Sequence, residues 1–595
     1  MSKDNWKTVG KRPRAGMLAP LFSVYSKDSM GIGDFCDLKL LVDLVAKMGG
    51  SILQLLPMNE TGPIFCPYDA ISSFALEPVY ISFRGTAATK SKLIKAEVDK
   101  IRKMFPCGLS HVNYGVKDSK HRLLHMLFKK DGHDSKEYKL FKKDNSYWLD
   151  DFALFKAIKK EQGARPWYEW DEGYRNRDVG ALEAFRKEHA EELDFQKWVQ
   201  WVAFEQYKEA KSYAESKRVL ICGDLPILTS RDSADVWAHP QFFKLDFAAG
   251  APPDMYCAKG QRWGMPTYDW EAIAADGYRY IKEKLKFAEN FYDILRIDHA
   301  VGLFRIWSIP YNEPLENEGL NGVFDPADEK EWGPHGKQIL SILCGSTKML
   351  LVAEDLGMIP KICPETLKEF EVPGNDVQRW TKDWNIKHDF LEPQAYRRYA
   401  VSMLSTHDTT NWAAWWENEA GTIDEALFIR KCGDRGIDYA SVKDKLFDPS
   451  HSGHGRLRWL GGIASKDNLA YILGKRPEEL ADFIDIYENT CREKEKLWKK
   501  LGMKGPMRES SGAEAVGAAL GITLNSRSIF CIELLIDYLY LADIFKGDPY
   551  KYRINRPGTI SRENWSLVVP VGLEELLKHR ACGQIKKMIG ASNRI

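Results

Sequence analysis

Four acidic residues stand at the ends of short apolar runs: Asp224 in RVLICGD, Asp298 in DILRID, Glu354 after MLLVA, and Asp408 in YAVSMLSTHD. Carboxylates delivered in this way can serve as nucleophile, acid and base, because burial and neighbouring charge separate their proton affinities. In DILRIDHA, strand alternation puts Ile294, Arg296 and Asp298 on one face and Leu295 and Ile297 on the other. A guanidinium beside a carboxylate favours the ionised form that a nucleophile needs. A structural ion pair is the competing reading of this segment taken alone. Glu354 is approached through LLVA, an apolar path that favours a retained proton. On neighbouring strands ~4.8 Å apart, the two carboxyl groups can approach the ~5–5.5 Å separation of a retaining double displacement at a glycosidic bond. Asp298 would then form a glycosyl-enzyme, while Glu354 would protonate the departing sugar and later deprotonate the acceptor. Asp408, with His407 before it, offers a third acid for the hydroxyls of a distorted, oxocarbenium-like ring. Asp355 should alternate away and is assigned no chemistry.

Positioning these acids requires strands that end together. Eight apolar, β-branched runs recur between longer segments of helical periodicity: 17–24, 51–58, 218–227, 293–300, 349–356, 376–384, 399–408 and 528–537, the sixth being the weakest. Alternating strands and helices predict an α/β fold with a parallel sheet, and eight of them predict a (β/α)8 TIM barrel whose reactive groups cluster at the C-terminal strand ends. A strand-end acid often merely caps the next helix, but four in corresponding places point to a shared site. The single barrel is expected to span residues 1–595. Its large, mainly helical insertions are predicted at 59–218, between strands two and three over the site's mouth, and at 409–527, between strands seven and eight. Residues 228–290 are read as an active-site loop region. There is no internal repeat or Ser/Gly-rich linker.

The charges nearly cancel, to a formal +1 over 595 residues, and no basic block stands out. Neither nucleic acid nor a membrane surface is therefore expected as a partner. The basic N-terminus lacks the apolar core of a secretory signal, and the most apolar later run carries Glu533, Asp537 and Asp543. Eleven scattered cysteines without a C-x-x-C pair fit reduced thiols and a cytoplasmic location. No His pair has zinc-ligand spacing, no acidic run has a calcium-loop pattern, and GIGDF has too few glycines for a phosphate loop. No metal or other cofactor is expected. The 19 Trp and 25 Tyr, many in Gly/Pro-rich stretches, include candidates for stacking on sugar rings, although packing is the commoner role of a large aromatic.

Together, these features resemble the amylomaltase/4-α-glucanotransferase family, glycoside hydrolase family 77. The resemblance runs through GMLAPLFSVYSKDSMGIGDF and onward to 62, CPYDAISSFALEPVYI (66–81), GDLPI (223–227) and GAPPDMYCAKGQRWGMPTYDW (250–270). It continues through RIDHAVGLFRIW (296–307), VAEDLG (352–357), STHD (405–408) and RINRPGTISRENW (553–565). It implies a barrel with inserted subdomains and no separate C-terminal β domain. It also implies that Asp298 is the nucleophile, Glu354 the acid/base and Asp408 the transition-state stabiliser. Tyr68, Asp224, Arg296 and His407 match the family's donor-sugar contacts, and the 250–270 loop, with Tyr256, Trp263 and Trp270 as stacking candidates, would favour a sugar acceptor over water. The implied partners are α-1,4-glucans and maltooligosaccharides. Cys66, Glu77, Thr409 and the ELLIDYL segment depart from the usual pattern and leave the three acids untouched. The expected activity is transfer of α-1,4-glucan segments. The alternatives are an α-glucan hydrolase, in which water replaces the sugar acceptor, and a noncatalytic glucan-binding barrel.

Overall fold

The structure, a computed structural model, describes residues 5–84, 91–130, 134–254 and 259–594. Its centre is an eight-stranded parallel sheet rolled into a barrel: β1 (Arg14–Leu18), β2 (Ile52–Gln54), β3 (Leu220–Leu225), β4 (Ile294–Ile297), β5 (Leu350–Ala353), β6 (Gly374–Val377), β7 (Ala400–Met403) and β8 (Phe530–Leu534). Strands adjacent in this series lie side by side, and β8 returns to pair with β1, Gly16 opposite Ile532. β2, β4, β5, β7 and β8 are buried at every residue, as expected of strands covered on both faces. Two predicted strands shift. The 17–24 run gives only the end of β1, because Pro20, which has no amide hydrogen, opens a 3-10 turn at Leu21–Ser23. The 376–384 run overlaps only the end of β6, after which the chain enters a 3-10 turn at Gln378–Trp380 and then a small antiparallel pair with 389–390.

Capped helices return the chain between strands. Asp34 accepts from the amides of Cys36 and Asp37, and Asp37 answers to the amide of Asp34, starting the helix Phe35–Lys47. Its buried face, Leu38, Leu41, Val42 and Val45, has the helical spacing that seats it against the barrel. The 59–218 segment is rich in helix, and its last helix, Ala190–Ser216, packs on Phe35–Lys47 and leads into β3. The 409–527 segment is not helical throughout. It carries a three-stranded antiparallel sheet, Thr422–Asp424, Phe447–Gly453 and Arg456–Trp459, and residues 423–487 bury a hydrophobic cluster of their own around Phe428, Trp459 and Phe483. Among the described residues, no helix is long and apolar enough to cross a membrane.

The β5–β6 seam closes differently from the other strand pairs. The Ala353 amide donates to the Pro373 carbonyl at 2.8 Å. The Asn375 amide then donates to Asp355 Oδ1 at 2.7 Å. Asp355, the neighbour of Glu354, is thus turned into the seam. A Cβ on Gly374 would lie 2.4 Å from Asp355 Oδ2, so only glycine leaves room for this carboxylate. Arg397 bridges Asp355 and Asp376, whose side chains are 2% and 7% exposed, and also reaches the Asn375 carbonyl at 2.6 Å. Removing the cation would strand two buried carboxylates. Arg397→Ala is therefore expected to lower stability by on the order of 3 kcal/mol, seen as an earlier urea unfolding midpoint. An unchanged midpoint would mean that the backbone bonds alone hold the seam.

Candidate active site

The site grows from β3, β4 and β5, three consecutive barrel strands. The register sets Asp224 opposite Arg296 and Ala353 opposite Ile297, so Asp298 and Glu354 leave their strands side by side. Ile294 and Arg296 line the barrel's interior cavity together with Cys222 and Val352, the face that alternation assigned to them. Arg296 Nη1 donates to Asp224 Oδ1 and Oδ2 at 2.8 and 2.7 Å, and to Asp298 Oδ1 at 2.9 Å. Tyr68 OH donates to Asp224 Oδ2 at 2.8 Å. Burial works to strip Arg296 of its proton, but the carboxylates around it, Asp224 foremost, override burial and hold its pKa well above the usual value. Burial raises the pKa of Asp224 against the opposing pull of Arg296.

Glu354 has a different environment. Its Oε2 accepts from the His299 amide at 2.9 Å and its Oε1 from the Leu356 amide at 2.9 Å. His299 can offer that amide because it turns into the left-handed region directly after Asp298, at φ 45°. Burial pushes Glu354 up to about 7; Arg296 opposes this shift and the negative charge of Asp298 reinforces it. A carboxyl group with a pKa near neutrality can both give and take a proton.

Asp408 follows β7. Its Oδ2 lies 3.1 Å from His407 Nε2, and its Oδ1 accepts from Asn555 Nδ2 at 2.7 Å. Burial alone would raise its pKa, but His407 and Asn555 outweigh burial and hold Asp408 down at about 2. The His407 ring stacks on Tyr68, centroids 5.2 Å apart at 13°, and Trp565 leans on both rings. Tyr68, Asp224, Arg296, Asp298 and the pair His407–Asp408 are thereby linked in one cluster beside Glu354.

The 250–270 loop contributes unevenly. Trp263 stands edge-on to His299, centroids 4.7 Å apart at 83°, with its amide bonded to the Ala249 carbonyl at 2.9 Å. That places it directly beside the residue following Asp298. Trp270 begins the helix Trp270–Ala275, and its ring meets Tyr268 and His335 edge-on. Tyr256 lies outside the described residues. The residue-by-residue reading of the sequence missed Asn555, Arg553 and Trp565 as partners of Asp408 and His407. They sit beyond β8 in a Gly/Pro-rich stretch without strand or helix periodicity, and only the aromatic and amide types there hinted at a site.

Comparison with known proteins identifies the family. The family model described as 4-alpha-glucanotransferase, glycoside hydrolase family 77, matches residues 19–572. A 4-alpha-glucanotransferase of Chlamydia caviae is 31% identical over 587 residues, covering 98% of this chain and 95% of its own. One from Aquifex aeolicus is 33% identical over 434 residues, 70% of this chain and 83% of its own. The amylomaltase from Streptococcus agalactiae, solved in complex with acarbose, superposes with a TM-score of 0.72 at 21% identity, covering 98% of this chain and 100% of that one, a likeness of fold. With the family model spanning most of the chain and relatives above 30% identity over nearly its full length, the chain belongs to the 4-alpha-glucanotransferase family, glycoside hydrolase family 77.

Proposed function

We propose that the protein transfers segments of α-1,4-glucans and maltooligosaccharides to sugar acceptors, with retention, through a covalent glycosyl-enzyme. The observation that carries this reading is the contrast between two acids on adjacent strand ends: Asp298 is tied to Arg296, whereas Glu354 accepts from two backbone amides and is pushed up to about 7 by burial. Asp298 attacks the anomeric carbon as the bond to the leaving oxygen breaks, and Glu354 gives that oxygen its proton. The acceptor's hydroxyl then loses a proton to Glu354 and displaces Asp298 from the sugar. Asp408 accepts hydrogen bonds from ring hydroxyls in this reading, with Tyr68, Asp224, Arg296 and His407 shaping the donor pocket and Trp263 standing beside it at His299. Transfer over hydrolysis is supported by family membership. A cytoplasmic setting is in keeping with the ten described cysteines, all free thiols.

Incubation with maltotriose separates the acceptors. Glucose plus a ladder of longer oligosaccharides is expected; products no longer than maltotriose would make the protein a hydrolase. Asp298→Ala and Glu354→Gln should each lower kcat by at least ~1,000-fold while leaving the melting profile intact, and near wild-type transfer by pure Asp298→Ala protein would refute the mechanism. The pKa of Glu354 sets a third expectation. Its catalytic proton is present below about 7 and lost above it, so kcat/KM for the donor should fall as pH rises through neutrality. A profile flat between pH 6 and 9 would remove Glu354 as the acid.

A further inference from the structure

Asp408 is more open than Asp298, its side chain 43% exposed against 25%, on the loop after β7. A carboxylate at the end of a broad torsion needs a donor to hold its plane. The donor on Oδ1 is Asn555, a buried residue on the segment beyond β8. Arg553 wraps the same place: Nη2 donates to the Asp408 carbonyl at 3.2 Å, Nε to the Asn555 carbonyl at 2.7 Å, and Nη1 to Tyr550 OH at 3.3 Å. Asn411, three residues after Asp408, ties the segment down by donating to the carbonyls of Pro549 and Tyr552, both at 3.0 Å.

The chain of contacts continues past the barrel. The Tyr550 ring stacks on His454, centroids 4.0 Å apart at 13°. His454 sits at the turn between Phe447–Gly453 and Arg456–Trp459, with φ 53°. Those strands belong to the 423–487 lobe with its own hydrophobic cluster. Contacts therefore run without a break from this lobe to the carboxylate of Asp408.

We propose that Asn555 and Arg553 are positioning residues that orient Asp408 toward the reacting sugar, and that the 423–487 lobe supports them through His454 stacked on Tyr550. An amide suits this task. Asn555 fixes the carboxylate without adding a charge, so the negative charge of Asp408 stays available to hydroxyls and to the positive charge developing on the ring. Arg553 fixes the backbone from the carbonyl side. The proposal rests on the reading of Asp408 as an acid that contacts the substrate.

Asn555→Leu removes the donor at similar volume. It is expected to lower kcat on maltotriose roughly 10- to 100-fold, with KM within about twofold and an unaltered melting temperature. Asn555→Asp, closer still in shape, sets a second carboxylate against Asp408. The two would share a proton, so the acid limb of the kcat profile should move upward in pH; the other charged groups near Asp408 are His407, Arg296 and Arg553, with the titratable Tyr68 and Cys66 also facing it. His454→Ala should lower kcat roughly 2- to 5-fold, and His454→Phe, which keeps a ring on Tyr550, should restore it. Wild-type kcat in Asn555→Leu together with an unmoved acid limb in Asn555→Asp would overturn the positioning role. Asp408→Ala tells the two levels apart: full activity there would refute the reading of Asp408 itself, whereas an inactive Asp408→Ala beside fully active Asn555 variants would refute only the positioning.

Discussion

A buried guanidinium organises this molecule. Arg296 is 7% exposed inside the barrel, where an unpaired charge would be severely destabilising, and one of its nitrogens contacts three carboxylate oxygens. Asp224 supplies two of them and fixes the arginine's orientation; Asp298 takes the third. One cation is thus shared by two acids on neighbouring strands. Asp298 keeps an oxygen directed by that contact, and Glu354 faces the negative charge of Asp298 from a buried position without a direct bond to the cation. The two carboxylates at adjacent strand ends thus have different environments, one bonded to the arginine and the other pushed up chiefly by burial.

The barrel alone does not complete the site. Tyr68 comes from the segment after β2, Trp263 from the long connection after β3, and Asn555 and Trp565 from the segment after β8. Each of these elements leaves the C-terminal end of the barrel and returns a side chain to it. The parallel register explains why. It aligns the strand ends in one plane, leaving loops as the part of the chain free to reach across that plane. The long insertions are therefore compatible with an unchanged centre.

Much of this was legible in the residues. The alternation of DILRIDHA placed Ile294 and Arg296 on the barrel's inner face, and apolar runs marked most of the strands because strands buried on both faces read as continuous hydrophobic stretches, whereas the sixth, GNDV, carries little such signal. The errors have local causes. Pro20 moved the first strand, and the 447–459 hairpin of the 409–527 segment escaped notice because HSGHGRLR is polar and glycine-rich, leaving Phe447, Leu457 and Trp459 to mark the hairpin's buried side. Trp270 has the type of a sugar-stacking aromatic, and its ring already meets Tyr268 and His335 edge-on. Residue type cannot distinguish an aromatic that packs from one that waits for a ligand.

The sequence by itself determined that acids stand at the strand ends, the face the Ile294–Ile297 strand turns inward and the order in which strands deliver those residues, since alternation along a strand is a property of the local backbone. Tertiary structure alone decided the partners. Asn555 meets Asp408 across 147 residues, and Glu354 acquires its two amides from the turn after Asp298 and from its own loop. Nothing in the periodicity of either segment announces those contacts. The proton affinity of Glu354 likewise depends on burial and on a charge from another strand, and both exist only once the barrel has closed.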